Sequence, residues 1–306
     1  MIRFVLRRLV SAFVVLFIVA SATFFVLNLT GDPVTAVLQG TGASQEEIAA
    51  LKSKLGYDRP IMVRYGEFLW SVAHGDFGVS IRYGQPSIDM VMERLPYTLM
   101  LGGAAIAIIV ALGLPLGILA AVFKGGWFDR FVSAATGLAQ SVPHFVVGPL
   151  LILFFAVLLR WLPVSGGATS SSIVLPAFTL ALYPLALVAR VLRASMLETI
   201  EQDYVLTAQA KGLSRPVIVL RHMVRNALLP VLTVISLQII AMIGGTIVVE
   251  SIFGWPGLGS FARDTLLASD FPLAQTIIIF VAGAVVTINL VTDIVYALVD
   301  PRIRLK

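Results

Sequence analysis

Six apolar runs, each near or beyond the ~20 residues that cross the hydrocarbon core of a bilayer, fix what this chain can fold into. They lie at roughly Leu9–Leu29, Thr98–Phe123, Phe131–Leu159, Ile173–Leu192, Leu228–Val249 and Leu273–Val299, and only Arg190 and Asp293 put a formal charge inside them. Charged residues make up 13% of the chain, about half of what a soluble domain carries. Backbone groups in lipid have to be satisfied within the segment, so runs of this length predict helices and not the alternating ~10-residue strands of an outer-membrane barrel. The expected fold is an all-α polytopic membrane protein with six transmembrane helices.

The first run starts basic (Arg3, Arg7, Arg8), as a signal peptide does, but its apolar length exceeds a signal core and no clear small-x-small exit precedes Asn28. It reads as a retained span. Orientation follows from the short loops, whose Lys and Arg residues favour the cytoplasm. With the N-terminus inside, Lys124, Arg130, Arg193, Lys211, Arg215, Arg221, Arg225, Arg302, Arg304 and Lys306 all fall on the cytoplasmic side, and six spans return the C-terminus there. The pI near 9.7 then reflects membrane orientation. No basic-aromatic cluster outside the spans suggests nucleic acid as a partner.

Several chemistries are excluded. There is no cysteine, hence no disulfide or thiolate site. His74, His144 and His222 lie far apart, without metal-ligand pairing, and no lysine follows a glycine, so the core of a phosphate-cradling P-loop is missing. If ATP powers this protein, another chain binds it. Nor does any nucleophile–base pair sit in the spans, which argues against an intramembrane enzyme. A secondary transporter or channel needs intramembrane charges or repeated broken helices to couple an ion. Asp293, on one helix face with Asn289, is the lone intramembrane acid; a structural pairing with Arg190 or a loop base is the favoured reading.

The segment from Thr30 to Tyr97 is the sizeable non-membrane part. Ser44-Gln-Glu-Glu47 has the form of a capping box, followed by Ile48, Leu51 and Leu55 at helical spacing up to Gly56. Pro60 suits the start of a second helix whose apolar side carries Ile61, Tyr65, Phe68 and Leu69. These helices either cover the bundle at the membrane face or form a docking surface for an external partner. Arg94-Leu-Pro96 leads into the second span. Gly113, Pro115 and Gly117 there, and Pro143, Gly148 and Pro149 in the next, mark bends that serve either packing or a translocation path.

Between the fourth and fifth runs lies a charged, capped segment, Asp203 to Pro230. Asp203 is a competent N-cap, Thr207, Ala208 and Ala210 are small, Lys211 complements a helix C-terminus and Gly212 can close it in the left-handed conformation. A small-residue face lets a partner's groove approach the backbone. Pro216 opens a second short helix carrying Arg221, His222 and Arg225, before Asn226-Ala-Leu-Leu-Pro230 re-enters the membrane.

Acid-x-x-x-x-Ala-x-Ala-x-Gly followed by Leu-Pro, filled by Asp203, Ala208, Ala210, Gly212, Leu229 and Pro230, resembles the signature loop of binding-protein-dependent ABC importer permeases. Gly31-Asp-Pro33, Leu55-Gly-Tyr-Asp-Arg-Pro60, Gly75-Asp-Phe-Gly78, Pro143-His-Phe145, Arg225-Asn-Ala227, Glu250-Ser-Ile-Phe-Gly-Trp-Pro-Gly-Leu-Gly259 and Asp300-Pro-Arg302 are similar to the dipeptide/oligopeptide/nickel branch. The resemblance implies a type I ABC importer permease-like core in the bacterial cytoplasmic membrane. It divides the chain into a first helix (1–30), an extracytoplasmic loop region (31–97), a five-helix core (98–299) with a coupling loop at 193–227, and a cytoplasmic tail (300–306).

The same resemblance implies several partners: a second homologous permease, two ATP-binding subunits that hold ATP and Mg, an extracytoplasmic solute-binding protein, and lipid. No cofactor or metal is expected on this chain. Contact with the ATPase falls to Asp203, Tyr204, Thr207, Ala208, Ala210, Lys211 and Gly212. An external gate or binding-protein contact falls to Glu250, Phe253, Trp255, Pro256 and Gly257. The implied activity is alternating-access import of short peptides, with nickel chelates or glutathione as other solutes of the branch.

Overall fold

The structure is a computed structural model that describes residues 2–39, 44–164, 166 and 170–299. The tail 300–306 and the Asp293 side chain, with its expected pairing, lie outside the described residues. Among those described, the secondary structure is helical apart from an isolated antiparallel bridge between Val79 and Pro86. The chain divides into two compact units, residues 2–98 with 256–294 and residues 99–255 with 295–299.

The first unit begins with α1 (Ile2–Thr30), whose Phe13, Phe17 and Ile18 are exposed as a lipid-facing helix requires. Three short helices follow: α2 (Pro33–Gln39), α3 (Gln45–Lys54) and α4 (Ile61–Ala73). The capping box is present at α3. Ser44 Oγ accepts from the Glu47 amide, and the Ser44 amide donates to Glu47 Oε2 at 2.8 Å. Gly56, at φ +73°, takes the left-handed turn that follows α3. α4 lays its aromatic side on α1: Tyr65 packs on Phe24 and Phe25, Phe68 stacks on Phe24 at 5.2 Å, and the Tyr65 hydroxyl meets Ser21 Oγ at 2.7 Å.

α5 (Ser87–Val122) starts well before the apolar run at Thr98. The extension holds because Val91 and Leu95 pack with Leu258, Phe261, Leu273 and Ile277 into a core, and Arg94 lies over the Phe261 ring at 5.1 Å. Tertiary packing, not propensity, sets that helix start. α11 (Leu258–Leu267) and α12 (Phe271–Val299) complete the unit.

In the second unit α8 (Val174–Ile200) is central, touching the later part of α5, α6 (Trp127–Ser141), α7 (His144–Leu158) and α10 (Arg215–Phe253). Its contact with α5 is as close as backbones allow. A Cβ on Gly117 would stand 2.7 Å from the Ala189 carbonyl oxygen, and one on Gly113 would stand 3.3 Å from that of Leu185. Small residues at such crossings let membrane helices pack by dispersion where no hydrophobic effect operates.

Among the described residues, five helices are long and apolar enough to cross a membrane. The remaining run is a pair: α6 and α7 meet at Val142-Pro143 with a bend of 109°, so the sixth span expected at Phe131–Leu159 is broken there. Pro143 has no N–H to donate and disfavours helical geometry in the residue before it. The expected separate helix after Pro216 is not found. Helical structure runs unbroken from Arg215 to Phe253, because the ladder widens to a π-helical stretch at Ile218–Val224 and so carries the chain into Pro230 without a break.

Candidate functional site

The coupling segment forms α9 (Asp203–Ala210). Its N-cap is Gln202 rather than Asp203, and no side chain caps it; Asp203 sits one residue later, in the first turn, where its charge favours the helix N-terminus. The Thr207 hydroxyl donates back to the Asp203 carbonyl at 2.8 Å. At the other end the Leu213 amide reaches the Ala208 carbonyl and the Gly212 amide reaches that of Gln209 at 2.9 Å, with Gly212 at φ +71°. This is the Schellman closure, which only a residue tolerant of the left-handed region fills without strain.

Burial divides the expected contact set. Ala208 is buried together with Val205, and α9 rests on the π-helical stretch Ile218–Val224 of its own chain. Ala208 is therefore a seat for α9, and the small-residue face expected to meet a partner does not include it. Asp203, Tyr204, Thr207, Ala210, Lys211 and Gly212 are exposed, joined by Leu206 at 52% exposure. Sequence reasoning did not single out this exposed apolar residue.

At the other end of α10, Gly254 closes the helix at φ +57° and the Trp255 amide reaches the Glu250 carbonyl at 2.9 Å. Glu250, Phe253, Trp255 and Gly257 are buried and Pro256 is half-buried. Most of this set therefore lies beneath the surface of this chain.

Four polar links escaped sequence reasoning. Asp270, fully buried, accepts from Ser80 Oγ and from the Ile81 and Arg82 amides (3.2 Å each), tying the loop before α5 to the start of α12. Arg193 pairs with Asp129. Arg190 donates to Gln140 Oε1 at 2.8 Å. His144, the first residue of α7, has Nδ1 3.1 Å from the Thr179 carbonyl oxygen. Among the described residues no group of three or more acidic or histidine side chains is arranged to hold a metal ion.

Three of the four tryptophans, Trp70, Trp127 and Trp161, are at least 70% exposed. Trp127 and Trp161 flank the α6–α7 pair, as the aromatic belt of a membrane interface does.

Comparison with known proteins agrees with this architecture. Residues 113–305 match the family described as binding-protein-dependent transport system inner membrane component, and residues 1–102 match its N-terminal companion. The dipeptide transport system permease protein DppB of Escherichia coli K12 is 37% identical, with all of both chains covered. A probable peptide ABC transporter permease, y4tP of Sinorhizobium fredii, is 37% identical over 98% of this chain and 99% of its own. In fold, the chain resembles a subunit of the MetNI methionine ABC transporter in inward-facing conformation, with a TM-score of 0.60 at 20% identity over 70% of this chain and 97% of that one. An unbroken match along the chain, on a helical bundle with a capped cytoplasmic-type loop, leaves one assignment: this chain is a membrane-spanning permease of the binding-protein-dependent transport system inner membrane component family.

Proposed function

We propose that this chain is the permease subunit of an ATP-driven importer of short peptides, with N- and C-termini in the cytoplasm. It forms the translocation path with a second, homologous permease. Two ATP-binding subunits, which hold ATP and Mg, engage the exposed face of α9, and an extracytoplasmic binding protein delivers solute to the opposite side. The chain itself carries no catalytic group. The observation that supports this reading above others is full-length similarity at 37% identity to a dipeptide permease.

The mechanism is a coupling of equilibria. Nucleotide and loaded binding protein each shift the inward–outward balance only by their difference in affinity for the two states. α9 is the lever: a rigid, Schellman-closed helix seated on α10, so a push on Tyr204 or Ala210 is passed to the helix that ends at Glu250 and Trp255. That burial suits a gate that repacks.

Uptake of labelled di- to oligopeptides by cells with and without this gene, alongside nickel uptake, tests the reading. Peptide uptake should disappear with the gene. Retained peptide uptake with lost nickel uptake would make the solute a metal chelate. Hydrolysis of ATP by this subunit, rigorously freed of ATPases, would sink the division of labour.

A further inference from the structure

The face of α8 left open inside the second unit is unusual for a membrane span. The helix is the most enclosed of the long spans, with 67% of its apolar window buried. Gly113 and Gly117 of α5 press on one side of it, Asp129 of α6 grips Arg193, and Gly245 of α10 meets Leu180. What stays open is a stripe at helical spacing: Tyr183 exposed, Leu187 half-buried, Arg190 exposed. Acyl chains are a poor environment for a guanidinium in a span, so such charges face a partner or water.

Beside this stripe lies a cavity of about 390 Å³, lined by Gln140, Ser141, His144, Tyr183, Gln238 and Met242 among others. It opens where the α6–α7 pair breaks by 109°. Broken helical backbone at membrane depth is tolerated where it is buried in protein or lines a wet cavity. The His144 and Phe145 amides lie in the first turn of α7, where no intrahelical carbonyl reaches them. The buried amide nitrogen of Gln140 has no acceptor within the described residues, while its oxygen is held by Arg190. No carboxylate lines the cavity.

Amide and hydroxyl groups line the cavity without an acidic residue, and the Arg190 guanidinium stands next to it, bonded to the lining residue Gln140; this suits a ligand with an anionic end and a hydrogen-bonding backbone. We propose that the Tyr183–Arg190 stripe and the cavity at the α6–α7 break line the solute path, and that Arg190 receives the C-terminal carboxylate of the passing peptide. Gln140 then orients the guanidinium for a two-point hold on the carboxylate, and the backbone amides of the peptide find Gln238 and Tyr183. This rests on the peptide-importer reading and names the groups that serve it.

The test uses the whole transporter in proteoliposomes. Tyr183→Cys and Leu187→Cys are placed singly in a chain without cysteine of its own and treated with a charged, membrane-impermeant maleimide. Both should react. A saturating tripeptide with a free C-terminus should slow the reaction several-fold, and its C-terminal amide should slow it less. Arg190→Gln should lower uptake of the free-acid peptide about tenfold, the scale of one lost charge-assisted bond, and erase the difference between acid and amide. Arg190→Lys should keep part of both, with subunit co-purification unchanged.

Cysteines that stay unreactive, or that crosslink to the second permease, would make the stripe an assembly seam and overturn the proposal. Reactive cysteines that no peptide protects, in a transporter with intact peptide uptake, sink the carboxylate site alone. A system that carries no peptide sinks the peptide reading and this one together.

Discussion

Arg193 holds Asp129 at two points, Nε to Oδ1 at 2.5 Å and Nη2 to Oδ2 at 2.8 Å, and so joins the C-terminal part of α8 to the first turn of α6. The Gly125 amide adds a third bond to the same carboxylate at 2.9 Å. Asp129 is 4% exposed, so removing its partner strands a buried charge. Arg193→Ala should destabilise the subunit by about 2 kcal/mol, below the usual cost of breaking a fully buried pair because Arg193 is partly solvated. Asp129→Asn should cost less, and the double variant should cost less than the sum. Thermal inactivation of the assembled transporter measures all three. Additive effects would mean that the grip contributes nothing specific.

If the exposed face of α9 seats in an ATPase groove, Ala210→Arg should block close approach, and Gly212→Val should strain the left-handed closure by roughly 1 kcal/mol or more. Both should lower subunit assembly or solute-stimulated ATP hydrolysis while the spans still insert. Ala208→Leu is a different experiment: Ala208 is 4% exposed, so overpacking should loosen α9 from its own chain and raise proteolysis at the loop. Wild-type hydrolysis in the first two variants leaves α9 with a structural role only.

If the basic short loops are cytoplasmic, as their charge favours, the absence of native cysteine makes that directly measurable. Single cysteines at Ser44, beside α3, and at Ser214, after α9, should differ in intact cells, with an impermeant thiol reagent labelling only the first. The reverse pattern inverts the topology.

What was legible in the sequence was local. The capping box at Ser44 and Glu47, the left-handed glycine at Gly212, and the break at Pro143 each depend on residues within a few positions, and each appears as read. Helix ends shifted where packing overruled composition: α5 reaches back to Ser87 because Val91 and Leu95 find Phe261, and α10 begins at Arg215 because a π-helical stretch carries it past Pro230. The polar links stayed hidden for a different reason. Asp270 and Ser80 are 190 residues apart, Arg190 and Gln140 are 50, and no helical or strand period spans such distances. Charge alone marked Arg190 as notable; only the fold shows that its neighbour is an amide beside a cavity.

Acid should loosen the external segment before the spans. The Glu47 carboxyl is held below its usual 4.5 by the Ser44 amide and hydroxyl. At Asp32 burial pushes the carboxyl up, but hydrogen bonds from Lys52 and Thr35 outweigh it and the net shift is downward. Groups lowered on folding contribute stability that is complete above their unfolded values and lost as pH falls through the folded ones. The protection of α2 and α3 amides against hydrogen exchange, taken relative to the intrinsic rate at each pH, should therefore be flat from pH 7 to about pH 5 and fall as the pH drops below about 4, ahead of protection in α8. Glu47→Gln should raise exchange in α3 at neutral pH and reduce its acid sensitivity, because a neutral amide oxygen accepts from the Ser44 N–H less strongly than a carboxylate does. Acid-insensitive exchange in α3 of the unmodified chain would show that the capping box does not hold this helix.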